Sequence, residues 1–95
     1  MGGWVYILAN GPFGALYVGV TNDISRRVFE HKEGEGSLFC RRYGVTKLMH
    51  YEFWDDIRDA IHREKRLKKW TRAWKIALIV ENNPNWDDLY LRLNG

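Results

Sequence analysis

The chain has 95 residues, of which 45% are hydrophobic and 15% are aromatic, and its formal net charge is +3. This length and composition exclude a disordered chain and suit one hydrophobic core, so we expect a single domain over residues 1–95. The one cysteine, Cys40, excludes an intramolecular disulfide and a zinc site built from several thiolates.

The first predicted element is an apolar β-hairpin. Trp4–Ala9 and Ala15–Val20 are rich in aliphatic and aromatic residues and flank a turn with glycine and proline at residues 10–14. Because side chains alternate along a strand, Tyr6 and Tyr17 each lie on a defined face of their strand. Tyrosine is common in strands, so a purely structural role is the plain alternative.

A helix is expected directly after the hairpin. Positions 21–23 hold Thr, Asn and Asp, which cap helices, and apolar residues then recur at helical spacing from Ile24 to Lys32. Arg27 and His31 stand one turn apart on this helix and therefore side by side. Two phenols, a guanidinium and an imidazole can converge here, although arginine and histidine are also ordinary on an exposed helical face.

The middle of the chain predicts a short helical turn and a third strand. We expect the turn from Leu38 to Tyr43, where Arg41 and Arg42 either contact a phosphate or form a solvated surface pair. Val45 to Trp54 then alternates in the manner of a strand. The histidine within this strand has no partner in the sequence pattern and is interpreted as structural.

An amphipathic helix is predicted within Asp55 to Thr71. Its acidic residues precede its basic ones, which is the order that complements the helix dipole. Glu64 projects into the middle of the apolar stripe, where burying an unpaired charge is costly. This carboxylate must be neutralised, placed in a cleft, bound to a cation, or paired with Lys68 one turn later.

The polar side of the same helix is strongly basic. It either follows a phosphate backbone or is the solvated face that any amphipathic helix has. The candidate nucleic-acid contacts are Arg41, Arg42, Arg66, Lys68 and Lys69.

Two further elements are expected towards the end of the sequence. Lys75–Glu81 is largely apolar and its length permits a helix or a strand, but its neighbouring residues favour a helix. Asn83 and Pro84 end this element, because proline disfavours a helical conformation in the residue before it. Asn83 is also suited to cap a last helix that has Pro84 as its first residue.

Several short motifs follow one another in a recognisable order. They are Trp4-Val5-Tyr6, Tyr17-Val18-Gly19, Arg27 with His31, Arg63-Glu64-Lys65, and Asn83-Pro84-Asn85-Trp86. This order resembles the GIY-YIG nuclease superfamily over nearly the whole chain, in particular its small single-domain bacterial branch. It is also similar to the nuclease domain found in bacterial excision-repair nucleases. Trp4 departs from the glycine of the name motif, and two valines replace its isoleucines.

The resemblance implies hydrolysis of a phosphodiester with one divalent cation, Mg²⁺ or Mn²⁺. Glu64 would be the protein ligand of this cation, with phosphate oxygen and water in the other positions. Arg27 would grip the scissile phosphate through its planar fork. The catalytic residues implied by the resemblance are Tyr6, Tyr17, Arg27, His31, Glu64 and Asn83.

The remaining roles concern water and protons. By the same resemblance, Tyr6 or Tyr17 would orient or deprotonate the attacking water, which requires positive charge close to the phenol. His31 would act as a proton shuttle or a phosphate ligand. The amide of Asn83 would position phosphate or water, a role that is compatible with capping.

We therefore predict an α+β fold, with a small three-stranded antiparallel sheet made of the N-terminal hairpin and the third strand, flanked by helices. The expected function is a metal-dependent endonuclease in DNA repair or turnover. One alternative is a nucleic-acid-binding or adaptor module that keeps the fold without useful cleavage, and another is a protein-binding domain.

The expected partner is nucleic acid, with DNA before RNA, since the chain is basic. A second DNA-binding domain is not evident, so a partner protein is one source of target choice. No stretch resembles a signal peptide or reaches membrane-spanning length, which predicts a cytoplasmic protein that binds no membrane.

Overall fold

The computed structural model describes residues 1–93 and places a three-stranded antiparallel sheet between two layers of helices. The strands are β1 (Gly3–Ala9), β2 (Leu16–Thr21) and β3 (Lys47–Trp54). The helices are α1 (Ile24–Lys32), α2 (Leu38–Tyr43), α3 (Ile57–Lys69), α4 (Arg72–Asn82) and a final 3₁₀ helix (Leu89–Arg92). The predicted α+β class and sheet are confirmed. Within residues 1–93, no helix is long and apolar enough to cross a bilayer.

β1 is the central strand, with β2 and β3 paired to its two sides. Five of its seven residues, from Val5 to Ala9, are almost completely buried because both faces of the strand are covered. Val5 and Ile7 face a core shared with α3 and α4, whereas Tyr6 and Leu8 face a core shared with α1 and α2. The alternation predicted for the hairpin therefore assigns each β1 side chain to one of two cores.

The third strand departs from simple alternation at a bulge. Ile7 pairs with His50 and Leu8 pairs with Leu48, which leaves Met49 without a partner in the register with β1. Leu48 packs in the core with α1, and Met49 packs in the core with α3. The uninterrupted alternation predicted for this strand is wrong, because the extra residue reverses the faces beyond it.

Local capping explains where most helices begin. Asp23 accepts a hydrogen bond from Arg26 N, and Ser37 accepts one from Cys40 N, so α1 and α2 start as predicted. Asp56 and Thr71 cap α3 and α4 in the same way. The helical prediction for residues 75–81 is confirmed within the longer α4.

The last element differs from the prediction. No helix begins at Pro84 in the described chain, and Asn83 follows the end of α4 instead of capping a new helix. The 3₁₀ helix begins at Leu89, and Asp88 caps it by accepting from Tyr90 N. Trp86 has a φ of 55°, a left-handed conformation that interrupts any helical path between Pro84 and Leu89.

His50 is the histidine within the third strand that we interpret as structural from the sequence. Its partner is Glu52. The Nε2 atom of His50 lies 2.9 Å from Glu52 Oε2, and Arg63 Nε donates to Glu52 Oε1 at 2.7 Å. Burial alone raises the pKa of Glu52, but hydrogen bonds from His50, Arg63 and Trp54 outweigh it and lower the pKa to about 2. This network ties β3 to α3.

Candidate active site

A buried tyrosine and a buried histidine form the centre of the site. Tyr6 lies in the middle of β1, and His31 lies in the last turn of α1, which packs over that strand. The hydroxyl oxygen of Tyr6 is 3.2 Å from Nε2 of His31, and the two residues expose 1% and 3% of their surface. The pair is therefore shielded from bulk water.

Two glycines leave room for this pair. Gly19 in β2 stands opposite Tyr6 in β1, and a Cβ atom at Gly19 would collide with Cζ and Oη of Tyr6. A Cβ atom at Gly36 would collide in the same way with the His31 ring. The missing side chains thus allow the tyrosine and the histidine to meet closely.

Tyr17 completes an aromatic cluster with this pair. Its ring centre lies 6.4 Å from that of Tyr6 and 5.6 Å from that of His31. Tyr17 belongs to the outer strand β2 and is only half-buried, unlike the other two residues. It is therefore the phenol of the cluster that solvent can reach.

Arg27 adds positive charge at the border of the cluster. Its Nε atom lies 3.3 Å from Oε1 of Glu30, one turn later on α1, and 45% of its side chain is exposed. Arg27 also lines a polar hollow of about 140 Å³ between the end of β2 and the start of α1. The guanidinium can thus meet an anionic ligand from solvent while it remains close to Tyr6.

Burial sets the protonation states of the central pair. Burial raises the pKa of the Tyr6 phenol and outweighs the opposite effect of the Arg27 charge. Burial and then Arg27 lower the pKa of His31 below its usual value, against a smaller effect of Glu30. At neutral pH the phenol is protonated and the imidazole is neutral, and His31 Nδ1 has no hydrogen-bond partner among residues 1–93.

Glu64 lies on α3, which packs on the other face of the sheet from Tyr6 and His31, and it is ion-paired. It is 8% exposed on α3, and Lys68 Nζ lies 2.8 Å from its Oε2 atom. The hydrogen bond from Lys68 to Glu64 raises the pKa of the lysine and outweighs the opposite effect of burial. The pairing with Lys68, one of the explanations that the sequence allows for a buried Glu64, therefore exists. Helix α3 also contacts β2, the strand that holds Tyr17.

Glu64 is the residue at this position that could hold a metal ion. Among residues 1–93, no three His, Cys, Asp or Glu side chains gather in a cage. A single buried carboxylate suits Mg²⁺ or Mn²⁺, which bind oxygen and keep several waters, better than Zn²⁺. Because 52% of the Lys68 side chain is exposed, this lysine can turn into solvent and free Glu64.

Asn83 is not brought into this cluster. Its Nδ2 atom donates to the carbonyl oxygens of Met49 and Asp87, and its Oδ1 atom accepts from Asp87 N. These bonds lie against β3, the outer strand opposite β2. The amide holds the loop after α4 to the bulge of β3, and its donors and acceptor are already engaged.

The basic candidates are all on the surface, in two groups. Arg41 and Arg42 are exposed on α2, and Arg66 and Lys69 are exposed on α3. Lys68, also exposed on α3, pairs with Glu64, and the Arg42 guanidinium lies over the Tyr43 ring. These exposed positions suit contact with a polyanion but do not indicate which polyanion binds.

Three residues near the cluster were not anticipated. Glu30 holds Arg27, Gly36 packs against His31, and the ring of Phe39 stacks 6.5 Å from that of Tyr17 at an angle of 26°. The contact of Glu30 with Arg27 could have been predicted, because the two residues are three positions apart on one helix. The other two depend on how α2 and the loop before it fold over α1.

The chain is similar to several known proteins. A family model described as the GIY-YIG catalytic domain matches residues 2–77. A UPF0213 protein of Halobacterium salinarum is 42% identical over 65 residues, which are 68% of this chain and 84% of that protein. A UPF0213 protein of Clostridium perfringens is 40% identical over 65 residues, 68% of this chain and 70% of the relative. The solution structure of a UPF0213 protein of Bacillus halodurans has a TM-score of 0.57 and 27% identity, and 93% of each chain is covered.

Proposed function

Because the chain belongs to the GIY-YIG family, we propose that it is an endonuclease that hydrolyses nucleic-acid phosphodiester bonds with one divalent cation. The observation that carries this proposal is the convergence of two phenols, a neutral imidazole and a guanidinium, in Tyr6, Tyr17, His31 and Arg27. We expect the substrate to be DNA rather than RNA, in repair or turnover. A partner protein is one means by which the nuclease would select its target.

Arg27 binds the scissile phosphate in this proposal. Its guanidinium is permanently charged, borders a polar hollow and is oriented by Glu30. A planar donor fork can hold two phosphate oxygens and stabilise the charge that develops on them. The same charge acts on Tyr6 and His31, so phosphate binding and the state of the buried pair are coupled.

Tyr17 orients the attacking water, because it is the phenol that solvent reaches. The water oxygen forms a bond to phosphorus while the bond from phosphorus to the leaving oxygen breaks. The proton that the water loses passes through the Tyr17 hydroxyl to His31, the neutral base beside both phenols, and the leaving oxygen takes up a proton from solvent. Tyr6 is buried, keeps its proton and holds the imidazole ring through the contact with Nε2. We therefore assign Tyr6 as a positioning residue.

Glu64 is the residue that would hold the cation, either Mg²⁺ or Mn²⁺. When bound, such an ion supplies positive charge to the phosphate and the leaving oxygen. The buried carboxylate and its exposed, releasable lysine partner support this assignment. Asn83, whose amide is engaged elsewhere, keeps a structural role in this proposal.

A second candidate function is a nucleic-acid-binding or adaptor module without cleavage. The observation that favours it is the pair between Glu64 and Lys68, which already neutralises the buried carboxylate. Such a module would bind a polyanion through its basic surface and would need no cation.

Cleavage assays separate these functions. Supercoiled, linear, single-stranded and branched DNAs and an RNA are incubated with the protein and Mg²⁺ or Mn²⁺, and products are resolved on gels. We expect metal-dependent products whose rate falls about 100-fold or more in Glu64→Gln and in Arg27→Ala. Glu81→Gln and Arg92→Ala, which change exposed residues outside the cluster, are the matched controls and should keep the wild-type rate.

The result that contradicts the nuclease is a folded wild type that yields no product with any substrate. If that protein still binds nucleic acid, with an affinity that falls steeply with salt and equal affinity in Glu64→Gln, the binding module is the better description.

A further inference from the structure

Helix α2 exposes the apolar residues that a helix of this size would normally bury. Phe39 is 42% exposed, Tyr43 is 50% exposed and Leu38 is 73% exposed, whereas Cys40 is the buried residue of the helix. Phe39 and Tyr43 lie side by side, so their exposed rings form one aromatic surface. The flat faces of these rings suit a planar ligand.

The exposed rings continue the aromatic cluster outwards. The Phe39 ring stacks on Tyr17, and the Tyr43 ring centre lies 5.0 Å from that of Phe39. The Arg42 guanidinium lies 5.7 Å from the centre of the Tyr43 ring. A row of rings thus leads from the half-buried Tyr17 to an arginine on the surface.

The backbone under these rings is fixed at both ends. Ser37 caps the start of α2, and Gly44 ends it in the left-handed conformation with a φ of 64°. The Asn10 side chain donates to the carbonyl of Tyr43 from the turn between β1 and β2. With Cys40 buried in the core, α2 presents its rings from a rigid support, which lowers the entropic cost of binding.

We propose that Phe39 and Tyr43 form a stacking subsite for one unstacked nucleobase of the substrate, on the Tyr17 side of the cluster. Aromatic faces bind bases without regard to sequence, and arginine beside them suits the flanking phosphates. Arg41 and Arg42 supply that charge, and residues 38–43 include no carboxylate. This subsite rests on the proposed function, since Tyr17 joins it to the hydrolytic cluster.

The test compares two single-stranded ligands of equal length and charge. One is an oligothymidylate, and the other has the same backbone with every base removed. Dissociation constants are measured by fluorescence anisotropy in EDTA at one salt concentration, so that cleavage does not interfere. The wild type should bind the oligothymidylate roughly 5- to 150-fold more tightly, the range expected for a base–aromatic stack.

Two variants test whether the preference for the oligothymidylate comes from the aromatic rings. Phe39→Leu with Tyr43→Leu keeps apolar side chains but removes the aromatic faces, and we expect the preference for bases to disappear. Leu38→Ala changes a more exposed apolar residue of the same helix and should keep the preference. A preference that persists in the double variant, or a wild type without one, overturns the subsite.

Two duplex ligands identify the source of the base. A fully paired duplex and the same duplex with one mismatch are added to the comparison. If only the mismatched duplex depends on Phe39 and Tyr43, the subsite takes a base that leaves a weakened pair. If binding of the fully paired duplex also depends on these two rings, the protein extracts a base from the double helix.

The outcome is independent of hydrolysis. Ring-dependent binding by a protein that cleaves nothing supports the subsite and contradicts the nuclease. Metal-dependent cleavage without ring-dependent binding supports the nuclease and overturns the subsite.

Discussion

The Tyr6 hydroxyl lies 3.2 Å from His31 Nε2, in a pair that joins the centre of β1 to the last turn of α1. Burial and the Arg27 charge lower the pKa of His31, so the folded protein resists protonation of this ring more than the unfolded chain does. Between the folded pKa and the ordinary value near 6.5, the unfolded chain binds more protons. The contribution of His31 to stability therefore falls as the pH drops below about 6.5.

Urea unfolding at pH 7, 6 and 5 measures this effect. We expect the free energy of unfolding to fall towards pH 5 in the wild type and to fall less in His31→Gln. His62→Gln changes an exposed histidine and should keep the wild-type slope. The carboxylates with lowered pKa, such as Glu52 with a pKa of about 2, lose their contribution only below about pH 4.5 and stay outside this window. Equal slopes in the wild type and His31→Gln would contradict the assignment.

Gly19→Ala should damage the site through Tyr6. The new methyl group would overlap the hydroxyl end of the Tyr6 ring, and relief requires a shift of the ring, which disturbs its contact with His31. We expect a loss of about 1–3 kcal/mol in the free energy of unfolding and a strong fall in cleavage rate. Gly11→Ala is the control, because a methyl group there meets no atom of the described chain within 4 Å. Thermal and urea unfolding measure stability, and equal values for both variants would refute the packing argument.

Lys68→Ala should strengthen metal binding at Glu64. The lysine neutralises the carboxylate and repels a cation, so its removal should lower the Mn²⁺ dissociation constant about two- to five-fold. Isothermal titration of the protein without nucleic acid gives this constant. Lys69→Ala removes one neighbouring exposed charge without touching the pair, and Glu64→Gln should abolish binding. An unchanged constant in Lys68→Ala would show that the pair does not compete with the cation.

Asn83→Ala should act on stability. The amide donates to the carbonyl oxygens of Met49 and Asp87 and accepts from Asp87 N, and its removal leaves the buried carbonyl of Met49 and two partly buried groups of Asp87 without these partners. We expect about 2–3 kcal/mol lower free energy of unfolding. Asn82→Ala, at the exposed neighbouring position, should change it by less than about 0.5 kcal/mol. If Asn83→Ala keeps the wild-type stability but loses cleavage, the amide belongs to the reaction instead.

Much of the fold could be predicted because its signals are local. The hairpin follows from two apolar segments around a glycine-rich turn, and α1 follows from Asp23 and the helical spacing after it. The boundaries of α1 and α2 are as predicted, whereas β3 begins at Lys47 and not at Val45. The bulge at Met49 has no local signal, because it depends on how β3 aligns with β1.

For the candidate site, the sequence by itself determined which faces its side chains occupy. The strand period puts Tyr6 on its face of β1, and the helical period puts Arg27 beside His31 and Glu64 in an apolar stripe. Periodicity is a property of neighbouring residues, so it can be read without the fold.

Only the tertiary structure decided which partners these side chains meet. Tyr6 contacts a histidine 25 residues away, and Asn83 binds a carbonyl 34 residues away, at the opposite edge of the sheet from Tyr17. The same packing stacks Phe39, on α2, against Tyr17, on β2. The burial of Tyr6 and His31 and the hydrogen bond from Asn83 to Met49 depend on groups that are distant in the sequence. Burial in turn shifts the pKa values of Tyr6 and His31, on which the proposed chemistry depends.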